Sequence, residues 1–241
     1  GESVIRFPLD SLDTRSAARA AEAFGSRIEF GDNRWTIAGA GSEPQPPENV
    51  IDVGNSGTTL YLMTGVAALA DGWTVLTGDY QIRRRTATPL INALQSLGAE
   101  IFSTRGNGMA PLAVRGRMSG GTARVAGISS QYVSSLLLAC PLASGDTDLS
   151  ITVLNEKPYV SMTMNWLAEQ GIDVKMDDMF SLARIKGNQR YHAFNRQIPG
   201  DFSSAAFPLC AGVLAGGAVN LQGLEMHDPQ GDKEIINILK S

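Results

Sequence analysis

"GISSQYVSSLLLACPLASGDTDLSITV" (127–153) runs from a small polar cluster into an apolar stretch of helical length, then a glycine turn, then a strand-like segment. Hydroxyl residues directly before an apolar run are helix N-cap signals, because their oxygens accept the first unpaired backbone N–H groups. The same layout occurs in "GNSGTTLYLMTGVAALADGWTVLTG" (54–78) and "GDFSSAAFPLCAGVLAGGAVNLQG" (200–223). Ser56, Ser130 and Ser204 are 74 residues apart. These helices are apolar nearly all round, which predicts burial rather than a surface position.

A second layout interleaves with the first. It consists of an amphipathic helix, a glycine, and two short strands, in 13–39, 85–116 and 157–187. Gly25, Gly98 and Gly171 end the three helices at intervals of 73 residues, each placed to supply the left-handed residue that stops a helix. Alternation in "DVKMDD" and "SLARIK" then predicts a β-hairpin with one buried face. Together the layouts define a βαβαββ unit repeated about every 74 residues. Residues 1–39 read as the back half of one unit, lacking its buried helix. Residues 200–241 read as the front half of another, stopping in a helix "DKEIINILKS". A chain cut mid-unit at both ends is expected to be part of something longer. "GAGSEPQPPEN" (39–49), with three prolines, reads as a solvated linker.

Composition narrows the function classes. With 43% hydrophobic and 18% charged residues the 241-residue chain can bury a sizeable core. A net charge of −4 offers no general field for nucleic acid. Two cysteines, Cys140 and Cys210, lie in apolar runs, and His192 and His227 stand apart from them, so no zinc site is expected. The apolar stretches are short and broken by Pro and Gly, so no membrane span is expected either.

The turn "VGNSGTTLYLMTG" (53–65) has the parts of an anion site: glycines, hydroxyls and a helix N-terminus. A nucleotide P-loop would need a lysine after Gly57, and there is none. Asn55 or Ser56 as a simple cap is the plainer alternative. Three equivalent helix N-termini on a shared face would favour an anion through their dipoles.

"GNSGTT" (54–59), "SSQYVSSLLLACPLA" (129–143), "KPYVSMT" (157–163) and "GDFSSAAF" (200–207), in this order, resemble the 5-enolpyruvylshikimate-3-phosphate synthase family over essentially the whole chain. The resemblance implies an α+β fold, the inside-out α/β barrel of enolpyruvyl transferases, with buried helices behind mixed four-stranded sheets. It places 1–199 in a substrate-binding domain, the first unit incomplete, and 200–241 in a crossover and partial unit of a second domain. It implies shikimate 3-phosphate and phosphoenolpyruvate as ligands, no cofactor, a cytoplasmic setting, and a complementary remainder carrying further catalytic groups. The fragment alone is then expected to be inactive.

Residue by residue, the resemblance gives Ser129, Ser130 and Gln131 contacts to shikimate 3-phosphate, with Gln131 also touching phosphoenolpyruvate. Asn55, Gly57 and Thr58 would form the phosphoenolpyruvate turn, and Tyr159 would contact substrate. Arg85, in "QIRRRTATP" (81–89), would grip an anion, because a planar guanidinium matches a carboxylate. Arg83 and Arg84 would add only field. Arg85, Gln131 and Asp13 are the candidate catalytic residues.

Departures from the family pattern also fall at the site. Tyr61 stands where an arginine is usual, Thr86 replaces a proline, and Leu12 replaces an acid. Glu156 stands where serine is usual. A carboxylate there would repel phosphate, so Glu156 must point away or this corner differs. The UDP-N-acetylglucosamine enolpyruvyl transferase, built on the same repeat, is the nearest enzyme alternative. That family commonly has a cysteine in the loop matching 79–88, and this chain has none. A non-catalytic substrate-binding half is the alternative of another class.

Overall fold

The computed structural model describes residues 1–41 and 43–240. Strand β1 (Glu2–Arg6), helix α1 (Leu12–Ala23) and strands β2 (Arg27–Gly31) and β3 (Arg34–Ala38) form the first unit. The second unit contains β4 (Ile51–Asp52), α2 (Gly57–Ala67), β5 (Trp73–Thr77), α3 (Thr88–Ser96), β6 (Glu100–Ser103) and β7 (Leu112–Arg115). The third repeats it as β8 (Gly121–Gly127), α4 (Ser130–Ala139), β9 (Thr147–Leu154), α5 (Lys157–Glu169), β10 (Val174–Met176) and β11 (Leu182–Ile185). Strand β12 (Asn195–Gln197), α6 (Phe202–Ala215) and a one-turn α7 (Ile235–Ile238) complete the order.

The second and third units each form one mixed four-stranded sheet from their own strands. The orders are β4-β5-β7-β6 and β8-β9-β11-β10, with the first pair parallel and the remaining pairs antiparallel. The first sheet has the order β12-β1-β3-β2, and β12 runs parallel to β1, with Val4 opposite Asn195. β12 thus takes the place that β4 and β8 hold in the other sheets. The glycines that end the amphipathic helices have positive φ: +101° at Gly25, +94° at Gly98 and +69° at Gly171.

Helices α2 and α4 lie side by side in the core. Leu60, Leu136 and Leu137 are fully buried, and truncating any one to alanine should cost about 2–5 kcal/mol through lost transfer energy and a residual cavity. Gly65 makes this approach possible: a Cβ there would lie 2.6 Å from Ser135 Oγ and 2.9 Å from the Ser135 carbonyl oxygen. Ser135 instead donates to the Tyr61 carbonyl at 2.7 Å, tying the two helices at mid-length.

Three expectations fail at the C-terminal end. α6 is not enclosed like α2 and α4: it buries only Phe202, Ala205 and Gly212, while Phe207 and Leu214 are exposed. Its apolar surface has no sheet and helix pair packed around it among the described residues. Residues 217–223 do not form the expected strand, because no described strand runs beside them to pair their N–H and C=O groups. "DKEIINILKS" is a 3₁₀ turn at Gly231–Glu234 followed by α7, with Ser241 outside the described residues. In the linker, Gln45 is tied back to the Phe24 carbonyl, and Ser42 lies outside the described residues.

Candidate active site at the helix N-termini

Ser56 is the N-cap of α2. Its buried hydroxyl accepts the Thr59 N–H at 3.2 Å and hydrogen-bonds the Thr59 hydroxyl at 2.9 Å. The capping role thus falls to Ser56, while Asn55, Gly57 and Thr58 form the rest of the turn. Asn55 donates its side-chain amide to Asp79 at 2.5 Å. Asp79 also accepts the N–H groups of Gln81 and Ile82 at 2.9 and 3.0 Å. The Ile82 N–H, then the Asn55 amide, holds the Asp79 carboxyl below its ordinary range. This carboxylate binds the arginine loop to the α2 turn.

The three arginines have different surroundings. The Arg83 guanidinium caps the Gly78 carbonyl. Arg84 lies over the Tyr80 ring, 5.9 Å from its centroid. Arg85 turns toward the α2 N-terminus, and a Cβ on Gly57 would lie 2.7 Å from its Nη1 and 3.8 Å from Gln131 Oε1.

Helix α4 begins at the same place. Ser129 is its N-cap, accepting the Gln131 N–H at 3.4 Å. The Gln131 amide donates to the Thr58 hydroxyl at 2.6 Å, joining the two helix N-termini. Ser130, almost fully buried, donates to Glu156 Oε2 at 3.0 Å. Glu156 therefore does not point away, and this corner departs from the expected pattern. The physical reason is local: a buried hydroxyl needs an acceptor, and the left-handed backbone of Glu156 (φ 56°), at the start of α5, delivers one.

Farther along α5, Tyr159 donates to Asp232 at 2.8 Å, and Ser203, in the first turn of α6, donates to the same carboxylate oxygen. Burial, together with Asp232, pushes the Tyr159 phenol up to about 12. Hydrogen bonds thus link Thr58 to Gln131 and Ser130 to Glu156, and Tyr159 ties α5 through Asp232 to the first turn of α6. Asp13 is exposed in the first turn of α1, and its backbone carbonyl lies 3.5 Å from the Thr59 hydroxyl. This sets α1 beside the same turn.

Two carboxylates and two phenols were not among the expected site residues. Asp79 had a readable signal, an aspartate two and three residues before N–H groups that begin a helical turn. Asp232 had none, since its partner Tyr159 lies 73 residues earlier. Tyr61 and Tyr132 meet edge-on, with centroids 4.8 Å apart, beneath the arginine loop. Among the described residues no group of three or more His, Cys, Asp or Glu side chains is placed to hold a metal, and no helix is long and apolar enough to cross a membrane.

Comparison with known proteins agrees with this architecture. The sequence model of EPSP synthase (3-phosphoshikimate 1-carboxyvinyltransferase) matches residues 1–241. The chain is 47% identical to the 3-phosphoshikimate 1-carboxyvinyltransferase of Acetivibrio thermocellus, covering all of this chain and 56% of that protein. It is 48% identical to that of Methanothrix thermoacetophila, covering 98% and 55%. The solved EPSP synthase of Acinetobacter baumannii superposes with a TM-score of 0.82 at 25% identity, over the whole chain and 53% of that structure. The chain thus spans about half the length of the relatives it matches. With its repeated units, its mixed sheets and a match along its full length, it belongs to the EPSP synthase family.

Proposed function

We propose that this chain supplies the shikimate 3-phosphate and phosphoenolpyruvate contacts of an EPSP synthase active site. In the reaction, the phosphoenolpyruvate methylene takes a proton while the shikimate 5-hydroxyl attacks C2. The tetrahedral adduct then loses phosphate and a proton from its new methyl group, which leaves an enol ether. One observation carries the reading: the Gly57 turn, the Arg85 guanidinium and the Gln131 amide meet at the adjoining N-termini of α2 and α4. A guanidinium beside a helix N-terminus provides forked donors and a favourable dipole for a carboxylate or phosphate. Gln131 both donates and accepts, which suits it to bridge two ligands.

In this reading, residues 1–199 form the substrate-binding domain and 200–241 begin a second one. Ser129 and Ser130 face the shikimate ester, Tyr159 lies at its edge, and Asp13 borders the cleft. The groups here bind and orient, while proton transfer falls largely to a complementary remainder; the expected setting is cytoplasmic. Calorimetric titration with shikimate 3-phosphate and with UDP-N-acetylglucosamine tests the assignment. Saturable binding of the shikimate ester, weakened about five- to thirty-fold by Gln131→Ala, is expected for a charge-assisted contact in an open cleft. Tighter binding of the UDP-sugar, or no binding of the ester, would overturn it.

A further inference from the structure

Tyr61, on the second turn of α2, and Tyr132, in the first turn of α4, aim their hydroxyls at one atom. Both donate to the carbonyl oxygen of Thr86, at 3.0 and 2.6 Å. Both side chains are about 3% exposed, and their rings pack edge-on at 87°. One carbonyl has two lone pairs, and here both are taken by buried phenols from different helices. The residue so held immediately follows Arg85 in the chain. On its other side, the Arg85 N–H is bonded to the Ile82 carbonyl at 3.0 Å. The backbone around Arg85 is thereby fixed at both ends, leaving the guanidinium to reach Gly57.

Resting on the reading of Arg85 as an anion-binding residue, we propose that Tyr61 and Tyr132 are positioning residues for it: their joint grip on the Thr86 carbonyl sets where its guanidinium stands. Packing alone does not need two hydroxyls at this point, since α2 and α4 are already joined through Gly65 and Ser135. Burial raises both phenols above their ordinary range, so both stay protonated donors. The carbonyl belongs to neither helix, so the bonds transmit the spacing of α2 and α4 to the arginine loop. Affinity for the anion then depends on how those two helices sit together.

The test uses Tyr61→Phe, Tyr132→Phe and the double variant, each in the unaltered chain and in an Arg85→Ala background. Phosphoenolpyruvate and shikimate 3-phosphate are titrated by calorimetry, and the Arg85 Nε–H signal is followed by NMR without ligand. Each single variant keeps one donor and should weaken phosphoenolpyruvate by less than about threefold; the double should weaken it about tenfold. Shikimate 3-phosphate affinity should stay within about twofold. In the Arg85→Ala background the double variant should have no further effect, because the group being positioned is gone. The Arg85 Nε–H signal should move toward that of a freely averaging arginine in the double variant. Equal losses in both backgrounds, or an unmoved Arg85 signal, would overturn the proposal. A chain that binds no phosphoenolpyruvate would count against the proposed function, while the ligand-free Arg85 signal would still decide whether the tyrosines position it.

Discussion

Ser130 donates its hydroxyl to Glu156 across 3.0 Å, at the junction of α4 and α5. An anion arriving at the α4 N-terminus needs that proton and meets the carboxylate that already holds it. Glu156→Ser should therefore tighten shikimate 3-phosphate by about five- to thirty-fold, because a charged repulsion is removed and a donor added. Glu156→Gln should fall between, and unphosphorylated shikimate should change little. Calorimetry on the three chains distinguishes these outcomes. Unchanged or weaker binding by Glu156→Ser would show that the carboxylate does not face the bound phosphate.

Gly57→Ala tests the closeness of the α2 turn to Arg85. The new methyl would meet only the tip of a flexible side chain, at 2.7 Å, so the guanidinium moves and the helix does not. Thermal stability should change by less than about 1 kcal/mol, since alanine is a better helix residue than glycine. Phosphoenolpyruvate affinity should drop about tenfold, near 1.4 kcal/mol. Loss of stability without loss of affinity would place Arg85 elsewhere.

Arg85→Lys keeps the charge and removes the fork. If the contact is bidentate, phosphoenolpyruvate affinity should fall at least about tenfold. Arg83→Lys and Arg84→Lys should each change it by less than about threefold, because their guanidinium groups serve the Gly78 carbonyl and the Tyr80 ring. A diffuse field would instead make all three losses similar and equally sensitive to salt.

The Asp79 carboxyl is held below 3.8 by the Ile82 and Gln81 N–H groups and the Asn55 amide. A depressed carboxyl stabilises the folded loop at any pH above its unfolded value. That contribution is lost as the pH falls through the lower, folded value. Hydrogen-exchange protection of the Ile82 amide should thus hold at neutral pH and decline in acid below about pH 4. In Asp79→Asn that acid decline should disappear. Protection with the same acid midpoint in both chains would assign it to another group.

Much of this was legible because it follows from local chemistry repeated along the chain. The glycine after each amphipathic helix, the hydroxyls before α2 and α4, and the alternation in "SLARIK" are one-dimensional signals. Repeat symmetry put the N-termini of α2 and α4 toward a shared face, and the Thr58–Gln131 hydrogen bond joins them there. What was not legible depends on side-chain direction between elements. Tyr61 reads as an arginine lost and Thr86 as a proline lost; only in three dimensions do the two departures touch, phenol to carbonyl. Glu156 could be read either way until its left-handed backbone settled the direction. The expected strand at 217–223 failed for a related reason, because a strand depends on a neighbour that its own sequence does not encode.

The pairing of β12 with β1 has a consequence for how the chain comes into being. β1 precedes β12 by the whole of the second and third units, so its outer edge stays unpaired until Asn195–Gln197 has been made. An unpaired edge is a template for strands from other chains, and a nascent chain exposes it while two further units are synthesised. The second and third sheets draw all their strands from their own units and can close as they emerge. Of these three sheets, the first opens before the other two and closes after both.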